Sequence, residues 1–433
     1  MKIAMMTAAC LLAIGTANAQ ETSAADDGEK REAYVPAQIS NETRAIVRGL
    51  NDFGLSLYAK LSTAPGDLTI SPASISTAFG LAYAGARGDT AKEIASVLHY
   101  PTGGGDFHKA FGALLGMMQL DANGRTIAVN NAIWLQTGLK VNGDYLALIE
   151  RNYGAGLRRV DYIADPDTAR LSINRWVEEK TNDRILDLLG TNDVTDKTRS
   201  VLVNTIYFKS DWDSPFHKQE TKEGDFRLAS GRKATLQLMK QRQSFRYAEQ
   251  GDLQFLALPY RGGETEMVIL LPGRPSGLAA LEQSLNPEAW RAWSTQLRNG
   301  QLSDVIVSLP RFRIEKRYDL KESLRSLGLI APIENADFSA MKPAGLPIDG
   351  PENWSFAIGK VIHKIFVEVE EKGTEAAAAT AIVMDVLVSG RRGPAPKPKI
   401  FNADHPFLFA IRDTRTDAIL FLGRFTGESV AKP

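Results

Sequence analysis

Residues 369–399 read VEEKGTEAAAATAIVMDVLVSGRRGPAPKPK, and this stretch does not fit a single secondary structure. It begins as the end of a strand, passes through four consecutive alanines, becomes apolar, and ends in a basic tract that contains prolines. Alanine favours a helix, but Gly373 precedes the alanines, and Thr380 and Ile382 after them favour strands. A segment of this length that commits to neither structure calls for a specific explanation.

The residues before this segment have a clear strand pattern. In VIHKIFVEVEE, residues 361–371, every second residue is apolar or a histidine. By alternation, one face of the strand would carry Val361, His363, Ile365, Val367 and Val369. We therefore predict a long buried strand that ends at Glu370 and Glu371.

The composition limits the classes of function. The chain has 433 residues, 51 basic and 51 acidic side chains, and 44% hydrophobic residues. This balance allows a sizeable core and gives no charge pattern for binding nucleic acid or an anionic membrane. We therefore expect neither nucleic acid nor membrane as a partner.

The first twenty residues, MKIAMMTAACLLAIGTANAQ, contain the single cysteine of the chain, Cys10. Their lysine, short apolar run and ANA sequence predict a signal peptide, residues 1–19, cleaved after Ala19. Residues 20–38 are polar and acidic and predict a disordered lead-in. We thus expect a protein that is secreted, or periplasmic in a Gram-negative bacterium, and that has no disulfide.

The remainder, residues 39–428, shows no linker and no internal repeat, and we predict one domain. Apolar spacing predicts helices at 40–62, 72–98, 167–189 (two stretches that meet near Thr181) and 319–328. The strand-like runs FLALPY and MVILLP flank RGGET, and FLFAI and AILFLGRF flank RDTRTD, which predicts two hairpins. Helices and hairpins follow one another along the chain without repeated βαβ units. This pattern favours an α+β fold with large, mostly antiparallel sheets.

Signatures of enzymes and metal sites are sparse. The chain has no G-x-S-x-G, and Ser339 to Lys342 fit S-x-x-K without its companion motifs. The five histidines are scattered, so neither a metal site nor a cofactor is expected. The RGD at 87–89 is interpreted as a turn between two helices, with Asp89 or Thr90 as a cap. The sequence therefore predicts a protein that is not an enzyme.

Several motifs nevertheless agree in order and spacing with one family. They are TISPASISTAFGLAYAGARGDTAKEI, INRWVEEKTNDRI, LVNTIYFKSDWDSPF, ADFSAM, HKIFVEVEEKGTEAAAATA and FNADHPFLFAI. From about residue 40 to Gly427 the chain resembles the serpins, which are suicide-substrate protease inhibitors. The resemblance implies the serpin fold: a large, mostly antiparallel central sheet, smaller sheets, a helical subdomain and an exposed reactive-centre loop, here about 372–399.

In a serpin the cleaved loop becomes a new strand of the main sheet. The resemblance implies a hinge at Glu371, Gly373, Thr374, Glu375, Ala376, Ala377, Ala378, Ala379 and Thr380. A strand that enters a closed sheet must present one face to the core. Counted from Thr374, that face carries Thr374, Ala376, Ala378, Thr380, Ile382, Met384 and Val386, none of which is charged or proline. The sequence therefore predicts a loop that can insert.

The scissile bond implied by the family's usual spacing from Glu371 is Leu387–Val388. A leucine there favours a chymotrypsin- or elastase-like serine protease as the partner. The segment before Pro406 is longer than is common in the family, so cleavage at Arg391 or Arg392 by a trypsin-like protease stays open.

Other positions match sites that hold the sheet closed. Four match the shutter beneath the point where the sheet opens: Ser71, Ser74, Asn204 and His363. Trp212 matches the breach at the top of the sheet, where Arg311 would form an ion pair with Glu371. This pair would hold the hinge closed, although an exposed pair would be worth only a fraction of a kcal/mol. Residues 99–118 have few basic side chains, so a heparin cofactor is not implied.

The leading hypothesis is a monomeric inhibitor of an extracytoplasmic serine protease. One alternative is a non-inhibitory serpin with a carrier or storage role, whose loop is never inserted. A remote alternative is a serine hydrolase that uses Ser339 and Lys342.

Overall fold

The computed structural model describes residues 39–101, 107–122, 125–344, 357–374 and 397–428. The predicted signal peptide and lead-in, and residues 375–396 of the predicted loop, lie outside this part of the chain. Among the described residues, no helix is long and apolar enough to cross a membrane.

The helices of the described residues lie mainly in the first half of the chain. They are α1 Asn41–Leu61, α2 Pro72–Gly85, α3 Gly88–Val97, α4 Phe107–Met118, α5 Gly143–Tyr153, α6 Pro166–Lys180, α7 Leu278–Ser284, α8 Pro287–Asn299, α9 Lys321–Ser326 and α10 Ala331–Glu334.

The strands of the described residues occur from β1 near the start to β16 near the end. They are β1 Leu68–Ile70, β2 Leu120–Ala122, β3 Arg125–Gln136, β4 Gly156–Val160, β5 Ser200–Asp211, β6 Lys222–Arg227, β7 Lys233–Gln250, β8 Leu253–Pro259, β9 Thr265–Leu271, β10 Leu302–Pro310, β11 Phe312–Asp319, β12 Ile362–Val369, β13 Gly373–Thr374, β14 Lys399–Asn402, β15 Phe407–Asp413 and β16 Ile419–Phe425.

Two sheets organise these strands. A seven-stranded sheet has the order β11-β12-β13-β5-β3-β2, with β4 paired to β3. A nine-stranded sheet has the order β1-β16-β15-β9-β8-β7-β10-β14, with β6 paired to β7. Most pairs are antiparallel; β3 with β4 and β10 with β14 are parallel. The predicted α+β fold with large, mostly antiparallel sheets is confirmed, as are the hairpins β8–β9 and β15–β16.

Helix α2 connects the two sheets and is buried on nearly every side. The hydroxyl of Ser71 caps its first turn by accepting a hydrogen bond from the Ser74 amide, and Pro72 starts the helix without an amide to satisfy. The helix packs against β5 and β16. It therefore places Ser71 and Ser74 between strands of the two sheets.

Two local predictions are wrong. The stretch 167–189 contains one helix instead of two. Helix α6 ends at Lys180, and Asn182 and Asp183 after it adopt left-handed φ angles of 50° and 59°. Helix α3 starts at Gly88 and is capped by neither Asp89 nor Thr90. Asp89 pairs with Lys92, and the Thr90 hydroxyl accepts a hydrogen bond from the Asp337 amide.

Candidate functional site

The chain reverses sharply where β12 ends. Glu370 and Gly373 exchange two backbone hydrogen bonds, of 2.9 and 3.2 Å, across the turn. The short strand β13 then pairs with β12 through Thr374 and with β5 through both of its residues. The first residues after the turn therefore lie between β12 and β5.

Gly373 lies against the backbone of β5. A Cβ atom at this position would lie 2.0 Å from the carbonyl oxygen of Ser210 and 2.6 Å from the Cα atom of Asp211. Because both of these are backbone atoms, a side chain could not be accommodated without moving the strand. A glycine is thus required for β13 to lie where it does.

Thr374 faces the core of the protein. It lies directly opposite Val369, which is fully buried, and opposite residues of an antiparallel pair point to the same face. Its hydroxyl forms a 2.6 Å hydrogen bond with the Tyr260 hydroxyl. This orientation is the one that the inward face of the predicted loop requires of its first residue.

Glu371 forms an ion pair with Arg311. The arginine Nε donates to both carboxylate oxygens at 2.8 Å, and the Thr221 hydroxyl donates to Oε1 at 2.6 Å. Only 2% of the Glu371 side chain is exposed, against 39% for Arg311. The carboxylate side of the pair is therefore buried: the Thr221 hydroxyl contacts the carboxylate, and the Phe216 amide donates to the Glu371 backbone carbonyl at 2.8 Å.

The pKa of Glu371 reflects two opposing effects. Burial alone would raise this pKa, because it disfavours the charged carboxylate. The hydrogen bonds from Arg311 and Thr221 outweigh that effect, so the pKa is lowered. The carboxylate thus carries its charge at neutral pH.

Trp212 directly follows β5 and contacts the same turn. Its backbone amide donates to the carbonyl of Lys372 at 2.7 Å, and its indole Nε1 donates to the carbonyl of Glu370 at 2.9 Å. The indole stacks on the ring of Tyr260 at 4.4 Å. The backbone and the side chain of Trp212 therefore both connect the end of β5 to the turn between β12 and β13.

The four predicted shutter residues meet at the start of α2. The Ser71 amide donates to Nε2 of His363 at 3.1 Å, and the Ser71 hydroxyl donates to the carbonyl of Leu420 at 2.6 Å. The Ser74 hydroxyl bonds to the side chain of Asn204 on β5. These contacts join α2 to β5, β12 and β16.

The network extends to residues that the sequence analysis missed. The Asn204 amide donates to the side chain of Asn131 at 2.6 Å, and Asn131 donates to the carbonyl of Tyr153 at 2.7 Å. Asn131 lies in the middle of β3 and is 5% exposed. A buried amide inside an apolar strand needs a partner, and this signal was present in the sequence.

His363 is neutral in this environment. Burial lowers its pKa from 6.5 to about 4, because the charged imidazolium loses its hydration. The neutral ring leaves Nε2 free to accept the Ser71 amide. Protonation of Nε2 would replace this acceptor with a donor and break the bond.

A cavity of about 420 Å³ lies between the first residues of β12 and the first residues of β5. Its lining includes Ser74, Asn204 and His363. Among the described residues, β12 and β5 are joined by β13 and do not pair with each other. A strand that continued from Thr374 antiparallel to β12 would run toward this cavity.

The comparisons with known proteins agree with this geometry. Residues 48–427 match the family model described as Serpin (serine protease inhibitor). The chain belongs to the serpin family. The serpin is 37% identical over 362 residues to Serpin B6 of Macaca fascicularis, covering 82% of this chain and 92% of the relative. It is 37% identical over 386 residues to the leukocyte elastase inhibitor of Equus caballus, covering 86% and 97%.

A solved structure supports the same assignment. Serpin48, described as a highly specific serpin of the insect Tenebrio molitor, superposes with a TM-score of 0.76 at 31% identity. The match covers 89% of this chain and 99% of that protein. The family model is described as a serine protease inhibitor and one relative is named as an elastase inhibitor, so this serpin is not assigned a catalytic activity of its own.

Some residues that the serpin resemblance implicates lie outside the described part of the chain, and others lie within it. The predicted hinge from Glu375 through Thr380, the bond Leu387–Val388, and the alternatives Arg391 and Arg392 lie outside the described residues. Their roles stay predictions. Glu371, Gly373, Thr374, Trp212 and Arg311 lie together, and so do the shutter residues.

The segment that connects α6 to β5, residues 181–199, also accepts hydrogen bonds from residues of β12 and β11. Lys364 on β12 donates to the carbonyl of Leu186 at 2.7 Å. Arg317 on β11 donates to the carbonyl of Leu188 at 3.1 Å. Since 181–199 continues directly into β5, these bonds link the two sides between which a new strand of this serpin would lie.

The candidates for other chemistry have no support among the described residues. Ser339 starts a single 3₁₀ turn, and the Lys342 amide donates to its carbonyl at 3.1 Å, which is a backbone contact of that turn. No hydrogen bond joins their side chains in the part of the chain that the structure describes. The described residues also contain no cluster of three or more His, Cys, Asp or Glu side chains that could hold a metal ion.

Proposed function

We propose that this serpin is a suicide-substrate inhibitor of an extracytoplasmic serine protease. The observation that carries the proposal is the position of β13, whose two residues already pair with β12 on one side and β5 on the other. A chain that enters the sheet here can continue by adding hydrogen bonds on both sides. The cavity near His363 lies on the path of such a strand.

The proposed mechanism starts as ordinary proteolysis. The protease serine attacks the carbonyl carbon of Leu387, the peptide bond to Val388 breaks, and the amine of Val388 leaves with the proton. The loop, still esterified to the protease through Leu387, then inserts between β12 and β5. Fourteen residues from Thr374 to Leu387 span about 46 Å when extended, which would carry the protease along most of the molecule.

Trapping depends on what this displacement does to the protease. Hydrolysis of the acyl-enzyme needs an intact oxyanion hole and an ordered water. A protease pressed against the far end of the serpin would lose that geometry, and the ester would persist. Each inhibitor molecule is thus consumed when it traps one protease molecule.

The class of target follows from the residue at the proposed bond. Leucine fits the apolar primary pocket of chymotrypsin- and elastase-like enzymes, and one relative is named a leukocyte elastase inhibitor. Cleavage at Arg391 or Arg392 would instead select trypsin-like enzymes. An extracytoplasmic location is proposed from residues 1–19, whose pattern is typical of a signal peptide.

The experiment mixes the purified serpin with chymotrypsin, an elastase and trypsin. We expect a complex with one of the first two that resists boiling in SDS, and mass spectrometry should place the cut after Leu387. Thr380→Arg should abolish the complex and leave simple cleavage, because insertion would bury an unpaired guanidinium. Ala379→Arg is the matched control, since residue 379 would face outward and the complex should persist.

Two results would contradict the proposal. Cleavage of the wild-type loop without any stable complex would favour a carrier or storage serpin. Turnover of ester substrates that is lost in Ser339→Ala would instead favour a hydrolase.

A further inference from the structure

The cavity between β12 and β5 has an apolar interior. Its walls come from α2, β5, the segment 181–199 and residues 357–363, and they include the buried side chains of Ile75, Phe79, Leu189 and Met341. The apolar part of the lining is largely aliphatic. The volume of about 420 Å³ is room for about 14 groups of the size of a water molecule or a methylene. The interior therefore has the size and polarity of a site for an aliphatic chain.

Polar side chains lie at one end of this cavity. Val369 of β12 and Ser210 of β5 both lie opposite Thr374 of the short strand between them. Six residues earlier on the two strands come His363 and Asn204, which both line the cavity. Because the two strands run in the same direction, these two residues lie at the same level on opposite sides of the gap. We call this the polar end of the cavity.

His363 presents an unused donor at the polar end. The side chain is 7% exposed, and its Nε2 accepts the hydrogen bond from the Ser71 amide. The ring is neutral, so its single proton lies on Nδ1. Among the described residues, this Nδ1–H has no hydrogen-bond acceptor. A buried donor without a partner inside a cavity indicates that an acceptor from outside the chain can bind there.

The opposite end of the cavity is cationic. Lys197 and Arg199 lie just before β5, and Lys360 lies just before β12. Among the described lining residues, Asp193 carries the one carboxylate. Asp193 is already bonded to two cations, to Lys360 at 2.5 Å and to Arg317. The lining therefore has an excess of positive charge at this end.

Two of these cations have no anionic partner. Arg199 donates to the backbone carbonyls of Asp196 and Thr198, at 2.8 and 3.0 Å. In the described part of the chain, no carboxylate lies within ion-pair distance of Arg199 or Lys197. Lys197 is exposed and Arg199 is half-buried, so both can meet a ligand that enters from solvent. A carboxylate bound between them would form charge-assisted hydrogen bonds.

We propose that this cavity binds a medium-chain aliphatic carboxylate that carries a hydroxyl or carbonyl oxygen at its far end. The carboxylate would bind Lys197 and Arg199, the chain would fill the apolar interior, and the far oxygen would accept the Nδ1–H of His363. Asn204 lies five residues after Arg199, about 16 Å along an extended strand. Both this span and the volume fit a chain of about ten carbons.

The proposed site has a consequence for inhibition. A bound ligand would lie between β12 and β5, where the cleaved loop is proposed to insert. A saturating ligand should therefore raise the number of serpin molecules consumed for each protease molecule inhibited. This consequence rests on the proposed inhibitory function, whereas the binding itself does not.

The test measures binding of ω-hydroxydecanoate to the full-length intact protein by isothermal titration calorimetry. We expect one saturable site per chain. Decanoate, which lacks the far hydroxyl, should bind about 3- to 10-fold more weakly, because the donor of His363 stays unpaired. Decane-diol, which lacks the carboxylate, should bind about 5- to 30-fold more weakly.

One variant removes the free cations. We expect Lys197→Gln with Arg199→Gln to raise the Kd of ω-hydroxydecanoate by about 5- to 30-fold. The matched control is Lys60→Gln with Lys109→Gln, which removes two exposed lysines that do not line the cavity. The control should change the Kd less than about twofold.

A second variant reduces the apolar volume. Ala78 lies on α2 and lines the cavity, so Ala78→Leu should raise the Kd by about tenfold or more. Its control is Ala59→Leu on the exposed side of α1, which should leave the Kd unchanged. Melting curves of all four variants confirm that each protein is folded before binding is measured.

The outcomes separate the site from the inhibitory function. No saturable binding, or equal weakening in the variants and their controls, overturns the site, while a covalent protease complex would still support inhibition. Binding that both cavity variants weaken, without any covalent complex, supports the site and overturns inhibition. Equal binding of decane-diol and ω-hydroxydecanoate overturns the proposal, because the cations would then select nothing. Equal binding of decanoate overturns the contact with His363.

Discussion

Glu371 carries a charged carboxylate where only 2% of its side chain is exposed. Removing such a group from water costs several kcal/mol, and this cost is offset only if charge and hydrogen bonds replace the water. Here Arg311 and Thr221 provide those contacts. Removing Arg311 or Thr221 would therefore leave the buried Glu371 carboxylate with fewer contacts and would destabilise the protein.

We expect Arg311→Ala to destabilise the protein by about 1–3 kcal/mol. The value is lower than for a fully buried pair, because Arg311 is partly exposed to solvent and its charge is screened. Urea unfolding at pH 7 measures the effect. The control is Lys92→Ala, which removes an exposed pair with Asp89 and should change stability by less than about 0.5 kcal/mol. Equal effects of the two variants would contradict the structural role of Arg311.

His363 should make stability depend on pH. Burial lowers its pKa to about 4 in the folded protein, against about 6.5 in the unfolded chain, so the unfolded chain binds more protons between these values. Stability is then full above pH 6.5 and falls as the pH falls toward 4, by about 3 kcal/mol at this site. Loss of the Ser71 bond would accompany the protonation.

The measurement compares unfolding free energies of wild type and His363→Gln from pH 7 to pH 4. His108 also has a pKa lowered to about 4, by burial and by the charge of Arg87, and it contributes to both curves. The difference between the curves isolates His363. We expect the wild type to lose about 3 kcal/mol more than the variant. Parallel curves would rule out His363 as the titrating group.

Individual residues were predictable to different degrees. The shutter residues could be found because their motifs stand at recognisable positions along the chain. The burial of Glu371 could not, because Thr221, which helps to cover it, is 150 residues away in sequence. Exposure is set by such distant contacts, and no local pattern reports them.

At the scale of elements, the short strand β13 lies between β12 and β5, where a new strand would enter the sheet. Its two residues pair on both sides, and the close approach of β5 excludes any side chain at Gly373. The geometry therefore makes Gly373 the first residue that a new strand must fit. Substitution there tests the path of insertion directly.

We expect Gly373→Ala to impair insertion. Overpacking against a backbone carbonyl costs about 1–3 kcal/mol, which corresponds to slowing of about 5- to 150-fold if the strain is present in the rate-limiting step. The readout is the number of serpin molecules consumed for each protease molecule inhibited, which should rise. Gly116→Ala is the control, because a Cβ at Gly116 on α4 meets no atom within 4 Å. An unchanged ratio for Gly373→Ala would contradict this path.

The elements were mostly predictable, with one instructive failure after α6. Ile185, Leu188 and Leu189 have helical spacing and are buried, but the backbone does not continue as a helix. The Asn174 side chain bonds to both the amide and the carbonyl of Leu189, at 2.8 and 2.9 Å. A side-chain amide thus replaces helical hydrogen bonds, and apolar periodicity cannot reveal that substitution.

At the scale of the whole molecule, the open cavity and the unpaired part of β12 and β5 suggest a fold that can gain stability. Insertion of the cleaved loop would bury Ile382, Met384 and Val386, each worth about 1.5–3 kcal/mol. It would also add hydrogen bonds to two strands at once. The intact protein would then be the less stable of its two forms.

We expect the melting temperature to rise by roughly 10 °C after cleavage in the loop. Calorimetry of intact and cleaved protein measures the change. The control is Thr380→Arg cut by the same protease, which should gain much less, because its arginine would have to be buried. Coincident melting curves for intact and cleaved wild type would rule out insertion.

Trp212 gives this molecule an optical reporter of its own. Its indole stacks on Tyr260 and donates to the carbonyl of Glu370, so any displacement of that turn alters the polarity around the ring. Intrinsic fluorescence at this position should therefore follow the first ångströms of loop movement in real time, without an attached dye. Substituting the other tryptophans by phenylalanine would leave a single emitter located where the transition begins.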